Sequence, residues 1–311
     1  MADTTVRSVM ITGANSGIGK ELARQLAMHP EVEKVLLACR NAGRARAAQA
    51  ELEALTGRKL FDVVILDTSD PESVRSAVRE LGGPIDAVVM NAGGTGGPEP
   101  GAVTATGAIS VVAVNVLGHV ALLDALIDGG VLGQVAVLTG SEAARGVPKL
   151  FMPRPAFRST SVDELVSAID GSYWASKRFD PAAAYGHAKY IAALWMGAMA
   201  RQHAELRFVT MSPGGTAGSH IADSMPRAQR LAFKLVVTGR LGQRLGLSHP
   251  LPLGAARLLG AVTDSRYADG VFFGSRAHTL TGPIVDQATI FSDLADPSFQ
   301  DNADAALHRF L

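Results

Sequence analysis

A tyrosine and a lysine at helical spacing, Tyr185 and Lys189, could carry out acid–base chemistry. Residues four apart lie on one face of a helix, so a helix would bring the two side chains together. A free tyrosine titrates near about 10, and lowering its pKa to about 7 takes roughly 4 kcal/mol. One cation at about 4 Å in an effective dielectric of about 20 supplies that order of energy. The same spacing recurs at Tyr173 and Lys177, so the sequence offers two such pairs.

A glycine-rich turn, residues 12–19, is suited to binding a phosphate group. Gly13 permits a tight turn, Gly17 lets the backbone approach a pyrophosphate, and Gly19 allows close packing of the helix that follows. Free backbone N–H groups at the start of that helix meet the anion. The residues of this turn predicted to contact a dinucleotide cofactor are Gly13, Asn15, Ser16, Gly17, Ile18 and Gly19.

The TGxxxGxG spacing of this turn resembles that of the short-chain dehydrogenase/reductase family. Further segments match the family in order: Asp67 and Thr68, the NAG turn (Asn91, Ala92 and Gly93), the YxxxK of Tyr185 and Lys189, and the PG turn (Pro213 and Gly214). The resemblance extends over roughly residues 6–287. The sequence also resembles one branch of the family, that of retinol dehydrogenases and protochlorophyllide reductases. The resemblance lies in the segments 38–40 and 115–119 and in the long spacing between Ser141 and Tyr185.

The family resemblance implies a role for each matching residue. Tyr185 is implied to be the acid, while Lys189 lowers its pKa and holds the nicotinamide ribose. Ser141 is implied to orient the substrate carbonyl, with Thr139 as the alternative. Asn115 is implied to bend its helix and to complete a water relay to the lysine. The remaining predicted cofactor contacts are Asp67, Thr68, Asn91, Ala92, Gly93, Pro213, Gly214 and Thr216.

The position of each YxxxK pair favours Tyr185 over Tyr173. In the family, the tyrosine opens a long helix, and the residues after Lys189 continue in an unbroken helical pattern. A helix after Lys177 would meet Pro181, which removes a hydrogen bond and clashes with the preceding turn. We therefore predict that Tyr173 is a packed aromatic residue.

The end of the second predicted strand indicates the form of the cofactor. No Asp or Glu is present there to accept a ribose 2′-hydroxyl, and Arg40 offers a cationic fork suited to a 2′-phosphate. We therefore predict NADP(H) in preference to NAD(H).

Short apolar runs alternate with helical patterns, which predicts alternating strands and helices. The predicted strands are 6–11, 34–39, 61–66, 87–90, 134–138 and 207–211, and the predicted helices include 20–28, 44–55 and 72–81. Near-continuous Val, Ile and Leu runs suit strands covered on both faces. We predict an α/β single-domain Rossmann fold, with a doubly wound parallel sheet and helices on both faces. Residues 1–295 would form the NADP-binding domain with insertions at about 143–181 and 217–252, and residues 296–311 a C-terminal tail.

Composition excludes several classes of function. Lys plus Arg and Asp plus Glu are 29 each, so no basic field is available to attract nucleic acid. Cys39 is the single cysteine and the eight histidines show no metal-ligand spacing, so we expect neither an intrachain disulfide nor a metal. Residues 1–10 contain no apolar h-region, and we expect a cytoplasmic protein.

Two apolar segments bear on membranes and partners. The uncharged stretch 102–123 is long enough to span a bilayer, but polar residues and glycines interrupt it, so we predict a buried helix. The apolar side chains at residues 191–199 are predicted to belong mainly to the hydrophobic core. The small residues between them leave this helix without a clear polar face, which predicts that it also packs against a second subunit in a homodimer or tetramer. His119 and His187 are predicted to be packed residues, and His220 could reach the substrate.

The segment 225–249 contains Arg227, Arg230, Lys234, Arg240 and Arg244 and no acidic residue. Its position after the PG turn favours a substrate lid. A peripheral membrane-surface helix and a plain solvated helix stay open as alternatives.

The predicted function is an NADPH-dependent oxidoreductase acting on a carbonyl or secondary alcohol of an apolar small molecule. Reduction of a conjugated C=C bond, and a non-catalytic NADP-binding sensor, are the alternatives.

Overall fold

The strands lie side by side in one sheet in the computed structural model, which describes residues 5–148, 152–217 and 239–311. The described residues form an eight-stranded sheet in the order β3-β2-β1-β4-β5-β6-β7-β8, parallel except for the last strand. The strands are β1 Ser8–Thr12, β2 Lys34–Cys39, β3 Phe61–Ile65, β4 Ile85–Met90, β5 Leu132–Thr139, β6 Arg207–Met211, β7 Val271–Ser275 and β8 Ile284–Asp286. The first six correspond to the predicted strands. β7 and β8 were not predicted, because β7 is a short run containing a glycine and β8 has only three residues.

Helices cover both faces of this sheet. They are α1 Gly17–Met28, α2 Ala42–Thr56, α3 Pro71–Arg79, α4 Ser110–Asp128, α5 Val162–Asp170, α6 Pro181–Gln202, α7 Arg240–Arg244, α8 Leu251–Thr263 and α9 Pro297–His308. One apolar core contains side chains of α1, α2 and α8, and a second contains side chains of α3, α4, α5, α6 and α9. The predicted doubly wound α/β fold is therefore confirmed.

Residues 110–123 of the uncharged stretch lie in α4, which contains a π-helical turn at Ala113–Leu117, whereas residues 102–109 precede the helix. By length and composition alone α4 could cross a membrane, with a mean hydropathy of 1.9. However, 72% of that stretch is buried inside the protein, where α4 packs against α3 and the sheet. This burial is the arrangement of a core helix.

The C-terminal residues differ from the prediction of a tail. Residues 297–308 form α9, which begins with Asp296 accepting hydrogen bonds from the backbone N–H groups of Ser298 and Phe299. Side chains of α9 that are buried include Phe299, Ala303, Ala306 and Leu307. They pack against α6 and α5. The sequence alone did not predict this helix, because its burial depends on a distant partner.

The apolar surface of α6 has an explanation within the chain. A Cβ built on Gly197 would lie 2.4 Å from the Gln300 side chain, so the glycine lets α9 approach α6 closely. The described helix α9 covers the surface that had predicted a second subunit. The inference of a second subunit from the apolar side chains at residues 191–199 is therefore corrected, and these residues give no support to a homodimer or tetramer.

Candidate functional site

A cleft of about 1150 Å³ opens at the carboxyl ends of the strands, where the strand order reverses between β1 and β4. In sheets of this type, this switch point is where ligands bind. Predicted site residues that line the cleft are Gly13, Asn15, Ser16, Gly17, Ile18, Arg40, Asp67, Thr68, Asn91, Ala92, Gly93, Asn115, Thr139, Ser141, Tyr185, Lys189, Pro213, Gly214 and Thr216. Gly19 does not line it but packs beneath, where a Cβ would lie 2.6 Å from the Asn91 side chain.

The glycine-rich turn leaves hydrogen-bond donors at the start of α1. Gly13 and Gly17 have φ angles of 68° and 55°, in the region that favours glycine. Ser16 precedes the helix, but its side chain accepts no capping hydrogen bond. The first N–H groups of α1 therefore lack a side-chain cap at the edge of the cleft, where an anion can meet them.

Two arginines line the cleft beyond the end of β2. The Arg40 side chain is 74% exposed, and its Nε lies 3.8 Å from Oδ2 of Asp67. Arg44, in the first turn of α2, also lines the cleft and was not predicted.

Asn115 lies in the π-helical turn of α4 and is fully buried. Its side-chain NH₂ group donates to the carbonyl oxygens of Gly94 at 2.6 Å and Val111 at 2.7 Å, and its side-chain oxygen accepts from the Gly94 N–H. The side chain thus ties the irregular turn of α4 to the segment after the NAG turn. The water relay implied for Asn115 stays a prediction.

The Ser141 side chain lies close enough to the Tyr185 hydroxyl to affect its pKa. Burial of the hydroxyl raises that pKa to about 12, Ser141 opposes the shift, and the nearby Glu142 carboxylate adds to it. Thr139, the alternative to Ser141, has a buried hydroxyl with no hydrogen-bond partner.

Lys189 lies in the cleft beside Tyr185 and the end of β5. Its Nζ donates to the Thr139 carbonyl oxygen at 2.9 Å and lies 5.9 Å from the centre of the Tyr185 ring. Burial lowers the pKa of Lys189 to about 8. The role of Lys189 in lowering the pKa of Tyr185 stays a prediction.

The competing pair lies elsewhere. The Tyr173 hydroxyl donates to the Ala156 carbonyl oxygen at 2.7 Å, and the Lys177 ammonium lies 3.4 Å from the centre of the Tyr173 ring. Neither residue is among the described residues that line the cleft. Pro181 occupies the first turn of α6, where its missing N–H needs no partner. Tyr173 is thus packed, in the manner predicted.

Glu142 is a buried residue of the cleft that sequence reasoning missed. Its carboxylate accepts hydrogen bonds from the Ser212 hydroxyl and from the Ser275 N–H, and it lies 3.8 Å from the Arg257 guanidinium. The Ser212 hydroxyl oxygen in turn accepts from the Gly214 N–H at 3.1 Å. Glu142 therefore joins the turn at Ser141 to the PG turn. Its position directly after Ser141 was the only signal available.

The remaining predictions have mixed outcomes. His187 is buried and packs against Phe157, Tyr173 and Trp174. His220 lies outside the described residues. The predicted lid at 225–249 also lies largely outside them; of its residues 239–249, those at Arg240–Arg244 form the short helix α7. Within the described part of the chain, no group of three or more His, Cys, Asp or Glu could hold a metal ion.

A reversal of strand order beside a glycine-rich turn that opens a helix defines the Rossmann class of α/β proteins. Residues 7–148 match the family model described as short chain dehydrogenase. A probable oxidoreductase of Streptomyces antibioticus is 31% identical over 186 residues, which are 56% of this chain and 61% of that protein. Retinol dehydrogenase 11 of Mus musculus is 34% identical over 122 residues, 38% of this chain and 37% of that protein. The matches thus span less than two thirds of the length of these relatives.

A solved structure, the NADPH-bound carbonyl reductase from chicken fatty liver, has the same fold. It is 18% identical, covers 86% of this chain and 96% of its own, and gives a TM-score of 0.58. The predicted resemblance is confirmed over residues 7–148, which match the short chain dehydrogenase family model.

Proposed function

We propose that this protein is an oxidoreductase that transfers hydride between NADP(H) and a carbonyl or secondary alcohol of an apolar small molecule. The observation that carries this proposal is the convergence of Tyr185, Ser141 and Lys189 in the cleft that also contains the glycine-rich and PG turns. A hydroxyl pair beside a turn suited to pyrophosphate is the arrangement that carbonyl reduction needs.

The residues of the cleft fit a nicotinamide dinucleotide. The uncapped start of α1 would hold the pyrophosphate, and Lys189 and the PG turn would hold the nicotinamide ribose and ring. Arg40 and Arg44 would bind a 2′-phosphate, which supports NADP(H) over NAD(H). When bound, the reduced cofactor supplies the hydride.

The chain's own residues provide the proton and orient the carbonyl. Ser141, rather than Thr139, is close enough to the Tyr185 hydroxyl to affect its pKa, so it is the better candidate to share a carbonyl oxygen with it. Because the pKa of Tyr185 is raised to about 12, its hydroxyl stays protonated at neutral pH and is available as a donor.

The test is NADPH oxidation across a panel of apolar ketones, aldehydes and enones, with product analysis. Turnover of ketones or aldehydes to alcohols supports the proposal. Saturation of the enone C=C bond would replace it with the alternative chemistry, and tight NADPH binding without any turnover would favour the sensor.

Two predictions about the whole protein remain as proposals. A cytoplasmic location rests on the sequence alone. A homodimer or tetramer no longer has the support of the α6 surface, because α9 covers that surface. Light scattering at working concentration distinguishes a monomer from either assembly.

A further inference from the structure

A buried histidine on α4, His119, lies beneath the cofactor end of the cleft and is not used in the chemistry proposed above. It is completely inaccessible to solvent. Its Nε2 lies 3.1 Å from the Thr12 hydroxyl oxygen, and its Nδ1 lies 3.2 Å from the backbone carbonyl oxygen of Asn115. The ring therefore bridges the end of β1 and the π-helical turn of α4.

Hydrogen-bond accounting at Thr12 fixes the tautomer of this histidine. The Thr12 hydroxyl oxygen accepts from the backbone N–H groups of Asn91 and Ala92, each at 2.8 Å. A hydroxyl oxygen has two lone pairs and one proton, so its O–H must donate to the remaining neighbour. That neighbour is Nε2 of His119, which is therefore unprotonated. The proton of the neutral ring lies on Nδ1 and is donated to the Asn115 carbonyl.

The charge state agrees with this assignment. Burial lowers the pKa of His119 to about 3, and the positive charge of Lys189 contributes to the same shift. A doubly protonated ring would direct an N–H at the Thr12 O–H, which would have to give up one of its bonds to the NAG turn. The neutral ring is thus the form in which Thr12 and His119 keep all of these hydrogen bonds.

We propose that His119 is a positioning residue that fastens the glycine-rich turn and the NAG turn to the π-helical turn carrying Asn115. The chain of bonds runs from the N–H groups of Asn91 and Ala92 to the Thr12 hydroxyl, from that hydroxyl to His119, and from His119 to the Asn115 carbonyl. Thr12 adjoins Gly13 of the glycine-rich turn. Losing His119 would free Thr12 to rotate and would loosen both turns, although the ring itself does not line the cleft.

The inference rests on the proposed binding of NADPH, and isothermal titration of NADPH into the intact protein tests it. His119→Leu leaves the Thr12 O–H without its acceptor, and we expect the Kd to rise about tenfold, as for loss of one or two buried hydrogen bonds. His119→Gln offers one acceptor and one donor, so it should keep the Kd within about threefold of the original. Thr12→Val removes the hydroxyl group that joins His119 to the N–H groups of Asn91 and Ala92. The double variant Thr12→Val with His119→Leu should therefore bind like Thr12→Val alone.

His187 provides the matched control. It is also buried, and its Nδ1 bonds the carbonyl oxygen four residues earlier, Ala183, at 2.8 Å, but it does not contact either cofactor turn. His187→Leu should lower the melting temperature and leave the NADPH Kd unchanged. Unchanged binding in His119→Leu, or an equal loss in His187→Leu, would overturn the inference. Absence of NADPH binding by the unmodified protein would instead refute the proposed function.

Discussion

At the cofactor end of the cleft, the glycine-rich turn and the NAG turn are held through backbone N–H groups and the Thr12 hydroxyl. At the other end, Glu142 is held by side chains and backbone from three other segments, the ends of β6 and β7 and helix α8. The first arrangement uses short motifs whose spacing is visible in the sequence. The second is assembled from residues that only the fold brings together, and it rests on a buried ion pair. The two ends should therefore respond differently to substitution.

The largest effect is expected from Tyr185, which lies between the two ends. Tyr185→Phe removes the proposed proton donor, so kcat should fall by at least about 100-fold, the lower range for general acid catalysis. The NADPH Kd should stay the same, because the ring is retained. Tyr173→Phe is the control and should keep full activity. Full activity in Tyr185→Phe, with loss in Tyr173→Phe, would reverse the assignment of the acid.

The second effect tests the end of the cleft that contains Glu142. Glu142→Ala leaves the Arg257 guanidinium buried without its carboxylate, and removing one partner of a buried pair costs about 3 to 5 kcal/mol. We expect this loss in the free energy of unfolding measured by denaturant titration. Glu33→Ala is a matched control, because Glu33 pairs with Arg7 at 3.7 Å on the surface, where such a pair contributes at most about 1 kcal/mol. Equal effects from the two variants would show that the buried pair is not essential to this end.

The third effect tests the cofactor end of the cleft. Arg40→Ser removes one cation proposed to bind the 2′-phosphate, so the NADPH Kd should rise about tenfold while the NADH Kd stays constant. Arg46→Ser on the same helix as Arg44 is the control, since Arg46 is exposed and is not among the described residues lining the cleft. If wild type binds NADH as tightly as NADPH, the preference for NADP(H) is wrong.

The smallest effect concerns the helix that covers α6. Hydrogen bonds to Asp124 and Asp304 raise the pKa of His308 to about 11. Because this folded pKa lies above the ordinary 6.5, the charged ring contributes stability that is complete below about pH 6.5. That contribution disappears as the pH rises toward 11.

The His308 side chain is 41% exposed, so solvent screening limits its contribution to below about 1 kcal/mol. The difference in unfolding free energy between wild type and His308→Gln should be largest near about pH 6 and shrink at alkaline pH. A difference that grows with pH would contradict the ion pairs. Added salt should reduce it, as expected for partly exposed charges.

Sequence reasoning succeeded where structure follows from local pattern. Strands β1, β2, β4, β5 and β6 are buried along most of their length, so they are visible as largely apolar runs, and the edge strand β3 was found from its Val and Ile residues. The positions of the glycine-rich turn and the NAG turn followed from spacing, and one proline predicted that Tyr185 rather than Tyr173 belongs to the long helix at the cleft. Ser141 was expected at the end of β5, and it lies beside Tyr185.

Other features depend on contacts between distant segments, and no local pattern predicts them. Glu142 was visible beside Ser141, but its partners Ser212, Ser275 and Arg257 are spread along the chain. The bond from the Lys189 ammonium to the Thr139 carbonyl was not predicted either. Which acceptor a buried cation chooses depends on the packing around it.

The contact of α9 with α6 has a consequence for the order of events during synthesis. Helix α9 follows every other described element, so α6 and β5 emerge from the ribosome before residues 297–308 do. Until those residues arrive, the surface of α6 around Gly197 has no cover and presents apolar side chains to water. Such exposed surface makes a nascent chain prone to aggregation. Helix α6 therefore reaches its buried state only after α9 has been made, and chaperones have their greatest opportunity to act before that moment.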